Sequence, residues 1–172
     1  SNKFKDKEIL DLIEKRNIKI KLLDNHELDK MCKGLHQGII LDVEDIKTYT
    51  IDEVIPNINK EYPLIVILDH LEDPHNLGAI IRTCAAAEVD AIIIPKDRQV
   101  GVNSTVMKTS GGTLINTKIA SVSNLVNTIK KLKKNGFWVI GLDGNSSSTL
   151  KNIPSDVPLC LVVGSEGFGI SR

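Results

Sequence analysis

The sequence predicts an α/β protein built on a buried parallel sheet, and three features carry that expectation. Apolar runs recur as LIVILD (64–69), AIIIP (91–95), FWVIGLD (137–143) and LCLVVG (159–164). Each is continuous rather than alternating, as strands covered on both faces are. Between them, helical spacing covers residues 77–87 and 123–134, and strands that alternate with helices make parallel βαβ units. Several of the strands end in acids and glycines, where open α/β sheets collect their ligands.

The elements follow in order. Ile9, Leu12 and Ile13 give residues 5–16 a helical stripe, and NIKIKLL (17–23) then alternates as a short strand would. Asp24 to Lys33 is expected as a second helix, capped by Asp24 or Asn25 and ended by Gly34, with LHQGIILDV (35–43) as the next strand. About 45 residues with two strands are thin for a free-standing domain. Residues 46–62, acidic, weakly periodic and holding Pro56, Asn57 and Asn59, are expected as a linker, with a larger domain over 63–172.

At 172 residues the chain has room for one well-cored domain and a smaller module. It is 41% hydrophobic and 26% charged with six prolines, which argues against disordered, collagenous and coiled-coil classes. Basic and acidic residues are equal at 22 each, so net charge selects no partner. Their distribution is uneven: the first 21 residues hold seven Lys/Arg against four acids, and residues 41–62 hold six acids against Lys47 and Lys60. The basic end is the better nucleic-acid candidate, although a solvated helix face explains it equally. Cys32, Cys84 and Cys160 form no C-x-x-C pair, so neither a disulfide framework nor a zinc ribbon is expected, and a reducing compartment fits. No apolar run approaches the roughly 20 residues that cross a bilayer, and the first ten residues lack a signal-peptide core. A cytoplasmic location without a membrane partner follows.

Two segments concentrate chemistry. In DHLEDPHNLGAIIRT (69–83) a strand end meets a helix start: Asn76 is placed as an N-cap, Gly78 allows close approach, and Leu77, Ile80, Ile81 and Cys84 form the buried stripe. Arg82 lies off that stripe, early enough in the helix to oppose its dipole. It either meets an anionic ligand or pairs with Asp69 or Asp73. In LCLVVGSEGFGISR (159–172) a strand runs into Gly164, Gly167 and Gly169 with Glu166 between them. Glycines there let main-chain groups reach a ligand. The spacing is neither the dinucleotide fingerprint nor a phosphate loop. GLDGNSSS (141–148) supplies a third strand end of small and polar residues. His70 and His75 lack a third ligand at useful spacing, so no metal is expected. Trp138 is expected in the core, and Lys130, Lys131, Lys133 and Lys134 on a solvated helix face.

DPHNLGAIIRT resembles the first signature motif of the SpoU/TrmH methyltransferases, and LVVGSEGFGIS their second, about 80 residues on. With HQGII (36–40) and PKDR (95–98), the spacing is most like the branch that methylates guanosine 2′-hydroxyls in 23S ribosomal RNA. The resemblance implies a SPOUT-type parallel sheet with a trefoil knot, preceded by part of a small α/β RNA-binding domain at 1–45. It also implies S-adenosyl-L-methionine as cofactor, structured RNA as substrate, ribosomal sooner than transfer RNA, and a homodimer. Carried onto this chain, the catalytic positions are Asn76, Arg82 and Glu166; the cofactor-contacting ones are Leu142, Asp143, Gly144, Gly164, Ser165 and Gly167. His36 and Gln37, with Arg82, are candidates for RNA contact, the alternative for the His-Gln pair being a turn. The family's third motif, an isoleucine-proline segment followed by Ser-Leu-Asn, is absent from this sequence, so the methyltransferase domain as given lacks its last motif, and either the sequence is a portion of a longer chain or this piece is inactive alone. Ala87-Glu88 stands where the family has Ala-Gly.

Overall fold

The structure, a computed structural model, describes residues 6–32, 35–97 and 100–171. The chain divides into two compact units, Ser1–Asp45 and Ile46–Arg172.

In the first unit, α1 (Lys7–Lys15) starts at Asp6, whose carboxylate accepts from Glu8 and Ile9 N. α2 (Asn25–Met31) starts at Asp24, which exchanges hydrogen bonds with Glu27 in a capping box. Gly34 lies outside the described residues. The strands expected at 17–23 and 35–43 do not form among the described residues. Ile18, Ile20 and Leu22 alternate as a strand should, yet they are 52%, 60% and 85% exposed. A strand needs a hydrogen-bonded neighbour, and here the periodicity has none.

The second unit carries a five-stranded parallel sheet: β1 (Leu64–Leu68), β2 (Ala91–Pro95), β3 (Ile119–Val122), β4 (Trp138–Gly141) and β5 (Leu159–Val163), in the order β3-β2-β1-β5-β4. Its helices are α3 (Ile51–Val54), α4 (Pro74–Ala86), α5 (Ser104–Thr109) and α6 (Leu125–Lys134). Alternate strand residues face opposite layers. Ile65, Ile67, Ile93 and Cys160 pack with Leu132 of α6 and with Ile51 and Val54 of α3. Val66, Leu68, Ile92 and Ile94 pack with Leu77 and Ile81 of α4 and Val106 of α5. The apolar runs of β1, β2 and β5 are thus the centre of an α/β/α stack.

Residues 46–62 are no free linker. Tyr49 pairs with β3, its N donating to Ile119 O at 2.8 Å and its carbonyl accepting from Ser121 N. Thr50 and Glu53 form a capping box that starts α3, and Ile51 and Val54 enter the core. The acids that gave the segment its linker-like composition occupy its solvent face, while its few apolar residues do the packing. Trp138, expected in the core, is 58% exposed because β4 is an edge strand. β3 and α5 are additions to the elements expected from sequence.

Helix α4 packs tightly on α5. A Cβ on Gly78 would stand 1.8 Å from Thr109 Oγ1 and 3.0 Å from Ser110 N. The Gly78→Ala protein is therefore expected to lose about 1–3 kcal/mol by overpacking, less the roughly 1 kcal/mol that Ala gains in a helix. Urea unfolding measures the difference, and an unchanged midpoint would contradict the contact.

Burial pushes the Cys84 thiol up, and raises Cys160 from 9.0 to about 12. Between those two values only the unfolded chain ionises at Cys160, so this thiol contributes stability below about pH 9 that is lost as pH rises towards 12. Both cysteines should resist thiol reagents in native buffer and react only on unfolding, which timed alkylation followed by mass spectrometry would show.

Candidate active site

The site is assembled at the carboxyl ends of β1 and β5, the central neighbours of the sheet. Asp69 continues the β1 ladder, its N donating to Val163 O at 2.8 Å. Asp73 then caps α4 by accepting from His75 N, and Pro74 occupies the first turn, where its missing N–H is no loss. The cap therefore falls three residues before Asn76, the position the sequence suggested. This shift releases the Asn76 side chain from capping. Its Nδ2 donates to Glu166 Oε1 at 2.9 Å, joining residues 90 apart in the chain.

The loop after β5 folds back on itself. Ser165 N donates to Gly169 O at 3.0 Å, Gly169 N donates to Ser165 O at 2.9 Å, and Phe168 N reaches Ser165 Oγ. Gly169 has φ of 68°, a left-handed conformation that glycine holds without strain. A Cβ on Gly164 would lie 2.0 Å from the Gly169 carbonyl carbon. Ser171 N then donates to the buried Asp69 carboxylate at 2.6 Å, tying the loop's far end to β1. The result is an open cleft of about 400 Å³ bordered by His70, Asp73, Asn76, Glu166, Gly167 and Phe168.

The loop after β4 lies beside it, since Gly141 pairs with Val162 and Leu142 N donates to Val162 O. Asp143 closes its own turn, its carboxylate accepting from Asn145 N and its carbonyl from Ser146 N. Gly144 and Gly167 have open space where a Cβ would stand, so both loops leave main chain accessible.

Two expectations change here. Asn76 and Glu166 hold each other, and the exposed Arg82 side chain lies beside Gly111, its Cδ 3.9 Å from where a Cβ on that glycine would stand. Six residues at about 100° each turn Arg82 well away from Asn76 around α4. No ion pair joins Arg82 to Asp69 or Asp73 among the described residues. In the first unit, His36 Nδ1 accepts from Gly38 N at 2.9 Å and Nε2 pairs with Asp29 at 3.1 Å. Gln37 and Gly38 adopt φ of 52° and 88°. The HQG triplet is thus a turn whose histidine ring is committed locally, while Gln37 is exposed. In PKDR, Arg98 lies outside the described residues. Among the described residues no cluster of His, Cys, Asp and Glu could hold a metal, and no helix is long and apolar enough to cross a membrane.

Sequence reasoning weighed Asp69 only as a partner for Arg82 and His70 only as a metal ligand, and missed that the two pair with each other. The apolar run LIVIL announces the end of a strand, but nothing in the pattern says that the acid following it is buried.

Residues 63–172 match the SpoU rRNA Methylase family model. The chain belongs to this family. Residues 1–49 match a second model, the RNA 2′-O ribose methyltransferase substrate-binding domain. Over 167 residues the chain is 38% identical to a TrmH family tRNA/rRNA methyltransferase of Bacillus subtilis, covering 96% of this chain and 67% of that one. An AdoMet-bound rRNA methyltransferase from Sinorhizobium meliloti superposes with a TM-score of 0.64 at 25% identity, over 73% of this chain and 47% of the other. An A. aeolicus TrmH/SpoU tRNA modifying enzyme gives 0.56 at 27% identity, over 67% and 57%. The chain thus spans about two thirds of its curated relative and about half of the solved chains.

The close approach of Gly164 to Gly169 folds the loop tightly back, and the exposed main chain at Gly144 and Gly167 offers donors and acceptors. The half-exposed Leu142 supplies an apolar surface beside them. These groups suit a ligand with a purine ring and an amino-acid tail.

Proposed function

We propose that this chain carries S-adenosyl-L-methionine-dependent 2′-O-methylation of a ribose in structured RNA. The finer reading is a guanosine of 23S ribosomal RNA, with a transfer RNA as the alternative. The observation that carries it is the Asn76–Glu166 hydrogen bond, which joins the two motif loops across one cleft. Within the same proposal residues 1–45 bind RNA, Gln37 being the exposed candidate, and the chain works as a cytoplasmic homodimer with the knotted fold of its family.

The main-chain groups of Leu142, Asp143, Gly144, Gly164, Ser165 and Gly167 would hold the cofactor, which supplies an electrophilic methyl on a sulfonium. The residues supply alignment. Holding reactants in line is worth roughly 7–11 kcal/mol in well-oriented systems. Glu166 fixes Asn76 at the cleft wall, so both loops keep one spacing. Arg82, exposed and outside the cleft, is placed to take an RNA phosphate with its five-donor fork. A guanidinium does not give up its own proton, so Arg82 is an anion binder and not a base.

The test is transfer of labelled methyl from S-adenosyl-L-methionine to ribosomal and transfer RNA by the full-length chain. Labelling of ribosomal RNA supports the finer reading, and labelling of transfer RNA alone selects the alternative. No labelling of either RNA, with the cofactor bound, would overturn the enzyme and leave an RNA-binding adapter.

A further inference from the structure

The loop leaving β1 holds two side chains that the reaction above has not used. Asp69 is 1% exposed, and its carboxylate accepts from Ser171 N and from the His70 ring at Nδ1. A carboxylate can only accept, so Nδ1 carries the ring hydrogen, and in the neutral ring Nε2 is then the acceptor. Among the described residues Nε2 has no hydrogen-bond partner. The His70 side chain is 34% exposed and borders the same cleft as Asn76 and Glu166. Its backbone has φ of 59°, a conformation that glycine adopts without strain and that histidine adopts at a cost. A residue held in such a conformation at a cleft, with a buried acid fixing its tautomer, is an observed outlier that motivates a functional reading.

The proposed reaction leaves one task open, because the ribose hydroxyl must lose a proton and Arg82 cannot take it. We propose that His70 Nε2 accepts the proton of the ribose 2′-hydroxyl, with Asp69 as the positioning residue behind the ring; this rests on the 2′-O-methylation reading. The O–H bond of the hydroxyl breaks and its proton passes to Nε2. The oxygen's electron pair forms the new O–CH₃ bond, the S–CH₃ bond breaks with its pair going to sulfur, and a neutral thioether leaves. The imidazolium then returns its proton to water. The titratable groups bordering the same cleft are Glu72 and Asp73 on His70's own loop and Glu166 on the loop after β5, all acids, with Asp69 beneath. No Lys or Arg among the described residues borders the cleft to compete for the role of charge partner.

The left-handed backbone supplies a favourable variant, since His70→Gly removes the ring and relieves the conformation together. Three readouts decide: single-turnover methyl transfer against pH, S-adenosyl-L-methionine affinity, and the nitrogen NMR signature of the His70 ring. For the full-length wild type the rate should fall as acid places a proton on Nε2 and removes the acceptor. His70→Gly should lose about 10²–10⁴-fold in rate, lose that acid limb, keep its cofactor affinity and recover rate when imidazole is added. The NMR spectrum should place the hydrogen on Nδ1. A His70→Gly protein that matches wild type in rate and pH profile, or that imidazole fails to rescue, would overturn the inference alone. A wild type that methylates no RNA would overturn the function on which it rests.

Discussion

Replacing Gly164 by Ala is expected to collapse both stability and cofactor binding. The new Cβ would lie 2.0 Å from the Gly169 carbonyl carbon and 2.3 Å from Ile170 N, and both are main chain rather than side-chain ends that can swing aside. Overpacking against side chains costs roughly 1–3 kcal/mol and occasionally more. Against backbone, the upper end of that range, about 3 kcal/mol, is the expectation for urea unfolding. The loop can reduce the clash only by opening the paired Ser165–Gly169 hydrogen bonds, and it would draw Ser171 away from Asp69. S-adenosyl-L-methionine affinity should fall by at least about tenfold, the equivalent of 1.4 kcal/mol. Calorimetric titration measures it. Wild-type affinity in a folded Gly164→Ala protein would mean that the cofactor does not use this loop.

Arg82→Ala is expected to do the opposite, removing activity and leaving the fold intact. The side chain is exposed, with its stem beside Gly111 just past the end of α5, so unfolding should shift by no more than about 0.5 kcal/mol. If the guanidinium holds an anion that the reaction needs, turnover should fall by about 10²–10³-fold, as when a preorganised donor is lost from other sites. Arg82→Lys keeps the charge and loses the fork, so it should recover only part of the rate. Near-normal turnover in the lysine variant would argue against two-pronged recognition, and near-normal turnover in the alanine variant would take Arg82 out of the mechanism.

How much of this was readable before the structure follows from what each signal measures. The apolar runs at 64–69, 91–95 and 159–164 became β1, β2 and β5 because a strand covered on both faces must be apolar throughout, while the run at 137–143 became the edge strand β4, whose residues are half-buried or exposed. IASV, the segment of β3, escaped notice because it spans four residues and two of them are small. Residues 46–62 looked like a linker by composition, while their packing rests on Tyr49, Ile51 and Val54, too few to raise the average. The alternation at 18–22 points to a strand correctly as a pattern, but a pattern does not supply a neighbour. Within the site, the motifs brought Asn76 and Glu166 together as residues of one cleft. They did not show that Arg82 faces elsewhere, because helical phase fixes direction only once the helix start is known, and the start moved from Asn76 to Asp73. The Asp69–His70 pair was invisible because burial of one acid at a strand end leaves no periodic trace.

The central claim, that methyl goes to a ribose oxygen, has a direct chemical test. RNA labelled by the full-length chain is hydrolysed to completion in alkali, which cleaves through the free 2′-hydroxyl. Label carried in alkali-resistant dinucleotides is the predicted result, since a methylated 2′-oxygen cannot attack its neighbouring phosphate. Label released in mononucleotides would place the methyl on a base and contradict the account.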